Sequence, residues 1–161
     1  MTSTRNVLAA RRPSGVLRAV LRAAITVHTG LYRVTRGRVG GSIQGTSLLL
    51  LTTTGRKSGR RRTVPLSYFD QGDYLLVVGS AGGQPWEPAW CMNVRDNPHV
   101  TVEIRGERRE MLAHVADGSE RARLWHRFVE AYRLFEDYQR KADRLLPVVQ
   151  LRPVTRGRSS V

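Results

Sequence analysis

Residues 48–69 read LLLLTTTGRKSGRRRTVPLSYF. The leucines and threonines of 46–53 are apolar on both faces, which predicts a buried strand. A second strand is expected over 62–69. Between the two lies a turn with glycines at 55 and 59 and the cations Arg56, Lys57, Arg60, Arg61 and Arg62. Pro65 inside the second strand predicts an edge or a bulge facing a ligand.

Further strands follow outward from this hairpin. Residues 73–79 come after the turn residues Asp70, Gln71 and Gly72, and residues 99–105 alternate polar with Val100, Val102 and Ile104. Gly106 turns the chain into 108–115, and 148–152 forms a last strand. Helical patterns cover 88–96, begun by Pro88, and 118–133, with a shorter piece at 136–144. The fold class expected is α+β: a small antiparallel six-strand-type barrel with flanking helices.

Upstream, Leu17, Val20, Ala24, Val27, Leu31 and Val34 recur at steps of three and four, starting after Ser14 as N-cap. Arg18, Arg22, Arg33 and Arg36 fall on the other side, so 14–36 reads as a basic amphipathic helix. It either packs on the core with a solvated basic face or docks on an anionic membrane surface through 14–36. The expected organisation is an arm and helix over 1–40, a barrel domain over 41–153, and a tail over 154–161.

Composition limits the function classes. The chain has 161 residues, 40% hydrophobic, enough for one domain with its own core. Its single cysteine, Cys91, excludes an internal disulfide framework, and the four histidines show no metal-ligand spacing. Cys91 is expected to be a small packed residue, with no base in view to activate it. The net charge of +14 is uneven: residues 1–69 hold 13 Lys and Arg and no acid. Such asymmetry points to an anionic partner. The apolar stretch of 16–34 is interrupted by arginines, which argues against a membrane span and a signal peptide and for a cytoplasmic protein.

The turn at 55–59 lacks the spacing of the nucleotide-binding P-loop but has the physics of an anion site. Glycines permit close approach of backbone N–H groups, Arg56 and Lys57 supply charge, and Ser58 supplies a hydroxyl. A second glycine pair, Gly82-Gly83, follows the third strand, and Trp86 to Asn93 adds aromatic surface and an amide. A flat heterocycle with an anionic tail would suit that set.

TTTGRKSG with Arg62 and Pro65-Leu66, Ser80-x-Gly82-Gly83, EPAWCMNVRDNPHVTVEI at 87–104 and Tyr132-x-x-Phe135-Glu136-Asp137-Tyr138 follow in order along residues 40–153. With these motifs the sequence resembles the deazaflavin-dependent nitroreductase family of actinobacteria, which uses coenzyme F420. The resemblance implies a split β-barrel related to flavin-binding proteins. It implies that Arg56, Lys57, Ser58 and Arg62 grip the anionic tail, and that Val64 and Pro65 line the deazaflavin. Gly82 and Gly83 would admit the cofactor, with Pro88, Trp90, Asn93 and Phe135 beside it. Ser80, Tyr132 and Tyr138 would be the catalytic side chains facing the acceptor, a menaquinone or a nitro compound. Ala81, Ser67 and Phe135 depart from the pattern of nitroreducing members, which leaves quinone reduction, close to a membrane, at least as well supported. FMN or haem on the same barrel class is the alternative. Nucleic acid is not expected as a partner, because the basic segments lack interleaved aromatics and any reading motif.

Overall fold

The protein is described by a computed structural model covering residues 14–154. The expected polar arm at 1–13 and residues 155–161 of the expected tail lie outside the described residues. In chain order the elements are α1 (Gly15–Val34), β1 (Ser42–Ile43), β2 (Thr46–Thr54), β3 (Arg61–Asp70), β4 (Leu75–Val78), α2 (Ala89–Asp96), β5 (His99–Ile104), β6 (Glu107–Val115), α3 (Gly118–Ala131), α4 (Leu134–Ala142) and β7 (Val148–Pro153). A single 3-10 turn spans Ala81–Gly83.

Six strands close into an antiparallel barrel in the order β2-β3-β4-β7-β6-β5, with β2 pairing β5 to complete the ring. The two-residue β1 adds to β2 outside it. Closure is incomplete along β3. Its residues 68–70 pair with β4, whereas 61–67 have β2 on one side and no strand on the other. Pro65 sits on this open edge, where a residue without an N–H is tolerated.

The leucine run is buried on both faces for two different reasons. Leu49 and Leu51 point into the barrel with Val77, Val100, Val102, Val149 and Leu151. Leu48 and Leu50 point outward and are covered by Tyr32 of α1. On the far side, α3 and α4 bury Leu124, Phe128, Phe135 and Leu146 against Leu76, Val78 and Val148. Cys91 packs inside the barrel cluster, and burial pushes its thiol pKa up, which keeps it protonated and inert. A methyl group on Gly79 would lie 2.4 Å from its sulfur, so β4 and α2 approach as closely as glycine allows.

Helix α1 is attached by its last turns. Ser14 caps its start, accepting the Leu17 N–H at 3.4 Å. Tyr32 donates to the Leu48 carbonyl and accepts the Arg105 N–H, both at 3.1 Å. Arg33 forms a two-pronged ion pair with Glu103 of β5, at 2.8 and 2.5 Å. The apolar stripe itself faces away from the barrel and lies open: Val20 is 58% and Val27 71% exposed.

The hydrogen-bonded Arg33 guanidinium holds the Glu103 carboxyl below its usual range, against the opposing effect of burial. A carboxyl depressed in the fold stabilises it above its unfolded pKa of about 4.3, and that contribution fades as pH falls through the folded value. Glu103→Gln is therefore expected to lower the melting temperature at pH 7 and to narrow the gap to wild type as pH falls from 5 to 3. Melting curves followed across that range by circular dichroism check the convergence.

Candidate active site

A cleft of about 370 Å3 opens on the outer face of β3 at the barrel's open edge. Alternation along β3 places Pro65 and Ser67 on this face and turns Val64 and Tyr68 toward the barrel interior. Opposite stand Trp90 of α2 and Phe135 and Tyr138 of α4, while Ser80, Ala81 and Gly82 form the end. Gly82 has φ +65° and nothing within 4 Å of where a Cβ would be, so a ligand can approach its backbone.

Two hydroxyl donors face this space. Ser80 Oγ accepts the Gly82 N–H at 3.4 Å, which leaves its proton for a ligand. The Tyr138 hydroxyl reaches Gln44 Oε1 at 3.4 Å, and its ring packs edge-on to Phe135 at 5.3 Å. The serine loop is fixed from behind by Arg144. Its guanidinium donates to the carbonyls of Gly79 at 3.1 Å, Gln84 at 3.3 Å and Ser80 at 3.4 Å, and burial lowers its pKa.

The basic turn is rigid and joined to the cleft by α2. The Gly55 N–H donates to the Arg60 carbonyl at 2.8 Å, the Gly59 N–H donates to the Gly55 carbonyl at 2.7 Å, and Ser58 Oγ accepts the Arg60 N–H at 3.3 Å. Several of its N–H groups thus serve the turn itself, and anion capture falls to the side chains. Asn93 Oδ1 accepts the Arg56 N–H at 3.1 Å, and its Nδ2 donates to Thr53 Oγ1 at 3.0 Å. The same helix carries Trp90, one wall of the cleft. Arg56, Lys57, Arg60, Arg61 and Arg62 have no carboxylate within 4.0 Å among the described residues. Uncompensated charge of this kind attracts anions.

The structure thus gathers Pro65, Ser80, Gly82, Pro88, Trp90, Phe135 and Tyr138 around one cleft, together with Ser67 and Ala81. Arg56, Lys57, Ser58 and Arg62 stand together at the adjoining turn. Four of the expected residues, Val64, Tyr132, Gly83 and Asn93, fall outside the lining of this cleft. Val64 packs into the barrel, because its neighbour Pro65 has the outward face. Tyr132 ends α3 and donates its hydroxyl to the Tyr68 carbonyl at 2.9 Å, with its ring held by Phe69 and Phe128. It braces the barrel and does not line the cleft. Gly83 is required by α4: a Cβ there would stand 3.2 Å from the Tyr138 backbone. Asn93 serves the turn through its amide and is buried beneath it. Sequence reasoning missed Ile43, Gln44 and Thr46, which reach the cleft from the β1–β2 turn, and Leu134, which reaches it from the start of α4. The positive φ of Gln44, followed by Gly45, is the local signal for that turn.

Fold and cleft define a split β-barrel of the flavin-binding kind, with its ligand cleft at the open strand edge. Comparison with known proteins agrees. The family model for F420H(2)-dependent quinone reductase matches residues 24–153. A Mycobacterium tuberculosis protein named F420H(2)-dependent quinone reductase is 38% identical over 132 residues, 79% of this chain and 88% of that one. A solved F420-H2 dependent reductase is 40% identical with a TM-score of 0.59, covering 65% of this chain and 92% of that chain. The haem storage protein HutZ of Vibrio cholerae shares the fold at 14% identity, with a TM-score of 0.51 and coverage of 81% and 91%. The chain belongs to the F420H(2)-dependent quinone reductase family. It is an oxidoreductase whose cofactor is coenzyme F420.

The residues present fit that cofactor. An aromatic-walled slot with an open glycine would suit a planar ring, and the cationic turn, without a carboxylate partner among the described residues, would suit an anionic tail.

Proposed function

We propose that the chain reduces a quinone with reduced F420, the ring lying in the cleft and the anionic tail on the basic turn. One observation carries this reading: the cleft and the cationic turn share helix α2, which supplies Trp90 to the first and Asn93 to the second. Bound F420 supplies a hydride from its reduced deazaflavin carbon. The protein positions the two reactants and keeps water out, using Trp90, Pro65, Phe135 and Leu134 as apolar walls. Tyr138 and Ser80 hydrogen-bond the acceptor oxygens where negative charge develops. The same donors would serve a nitro group.

Anaerobic oxidation of F420H2 by a short-chain menaquinone analogue tests the reading. Tyr138→Phe is expected to lower kcat about tenfold or more with F420 affinity unchanged, since it removes one hydrogen bond formed to developing charge. Tyr132→Phe should leave kcat alone and cost about 1 kcal/mol of stability, the loss of a hydrogen bond to a backbone carbonyl. Equal effects of the two substitutions on kcat would overturn the assignment.

Helix α1 supports a location at an anionic membrane surface, where a lipid-soluble quinone partitions. Its exposed face carries Val16, Val20 and Val27, and its polar face Arg18 and Arg22, with no acid in the helix. Among the described residues no helix is long and apolar enough to cross a membrane. Val20→Glu with Val27→Glu is expected to abolish sedimentation with phosphatidylglycerol vesicles while F420 binding persists. Undiminished sedimentation would remove α1 as the anchor.

A further inference from the structure

The barrel end opposite the basic turn holds two adjoining chambers that the proposed reaction does not use. The first, about 240 Å3, has an apolar floor where the barrel interior comes to the surface, formed by Leu75, Val102, Ile104 and Met111. The second, about 230 Å3, lies between the end of α1 and the β5–β6 turn and is lined by Arg38, Ser42, Ser47 and Arg105 with glycine backbone. Tyr68, Ile104 and Arg105 line both, so the chambers share a wall.

The second chamber is rich in donors and has no carboxylate in its lining. Neither Arg38 nor Arg105 meets an acid within 4.0 Å among the described residues. The Tyr68 hydroxyl has no protein partner among them either, and burial raises its pKa, so it remains a donor. Two of the three acids lining the first chamber are hydrogen-bonded. Glu107 pairs with Arg109 at 2.5 Å, and Asp70 Oδ1 accepts the Gly72 N–H at 2.8 Å. The third, Asp73, has no such partner among the described residues. Each chamber is smaller than ligand pockets of about 300–1,000 Å3, so a ligand of ordinary size would have to reach across the shared wall into both.

We propose that this pole binds an amphiphilic anion: an oxyanion head, carboxylate or phosphate, on Arg38, Arg105 and the hydroxyls, with an alkyl chain over the apolar floor. Bidentate arginine contacts suit such a head, and burial of methylenes supplies the chain's affinity. The site stands apart from the F420 cleft and does not rest on α1 reaching a membrane.

Titration calorimetry of the full chain with alkyl phosphates below their micelle threshold tests it. Decyl phosphate is expected to bind at least tenfold more tightly than butyl phosphate. Arg38→Gln with Arg105→Gln should weaken decyl phosphate at least tenfold while F420 affinity stays unchanged. Inorganic phosphate binding as tightly as decyl phosphate would overturn the proposal, as would wild-type decyl phosphate affinity in the double variant. Phosphatidate vesicles tell two sources of the anion apart once decyl phosphate binding is established. Sedimentation lost in the double variant identifies a bilayer lipid, and sedimentation retained identifies a free amphiphile; both uphold the site.

Discussion

Lys57→Ala combined with Arg62→Ala is expected to weaken F420 binding about a hundredfold. Both side chains are exposed and meet no carboxylate among the described residues, so their charge is available to the cofactor tail. Hydrogen bonds to charged groups contribute about 1.5–3 kcal/mol each. Solvent exposure places these two at the low end, which is still about tenfold per side chain. Melting temperature should stay near wild type, since surface substitutions away from packed features cost within about 0.5 kcal/mol. Salt gives an independent check. Wild-type affinity should fall steeply between low and high ionic strength, and the double variant should respond much less. Fluorescence titration of F420 at two salt concentrations measures both. Unchanged affinity would place the cofactor tail elsewhere.

Phe128→Ala is expected to cost about 3–5 kcal/mol of stability, the range for emptying an aromatic core position. Phe128 is fully buried at the centre of the α3–α4 layer, with edge-on contacts to Phe135 at 4.8 Å and Tyr132 at 5.3 Å. A loss of that size is a large share of a total stability of about 5–15 kcal/mol. It should also reach the cleft. Phe135 transmits the packing of Phe128 to Tyr138, so loosening the first frees the last. Urea denaturation should show the lowered midpoint, and saturating F420 should recover part of it by binding the native state alone. Phe128→Leu, which leaves a smaller void, should lie between wild type and alanine. A Phe128→Ala protein with wild-type stability would refute the account of this layer.

The strands were legible because short apolar or alternating runs are bounded by turn residues such as Asp70-Gln71-Gly72 and Gly106. His99 to Ile104 alternates polar with apolar in sequence, although Val100 to Glu103 are all buried in the fold, and the leucine run is buried on both faces, as expected of a strand between an interior and a covering helix. The two-residue β1 carries no period to detect, and with it Gln44 and Ile43 went unseen as cleft residues. Roles also shifted where a single backbone step decides direction. Val64 and Pro65 are neighbours, yet the pleat sends one inward and one to the cleft. Tyr132 and Tyr138 belong to one motif, but the chain breaks between α3 and α4, and only the second faces the ligand space. The cationic turn could be read from composition alone. Its tie to α2 through Asn93 depends on residues 37 positions apart, which no local pattern encodes.

The unpaired stretch of β3 has a consequence for how copies of the protein meet. An exposed strand invites a neighbouring molecule to extend the sheet, which leads to self-association. Here the stretch begins with Arg61 and Arg62 and contains Pro65, which has no amide hydrogen to offer an incoming strand. Electrostatic repulsion between approaching copies and a missing donor together keep this seam accessible to small molecules and closed to sheet growth.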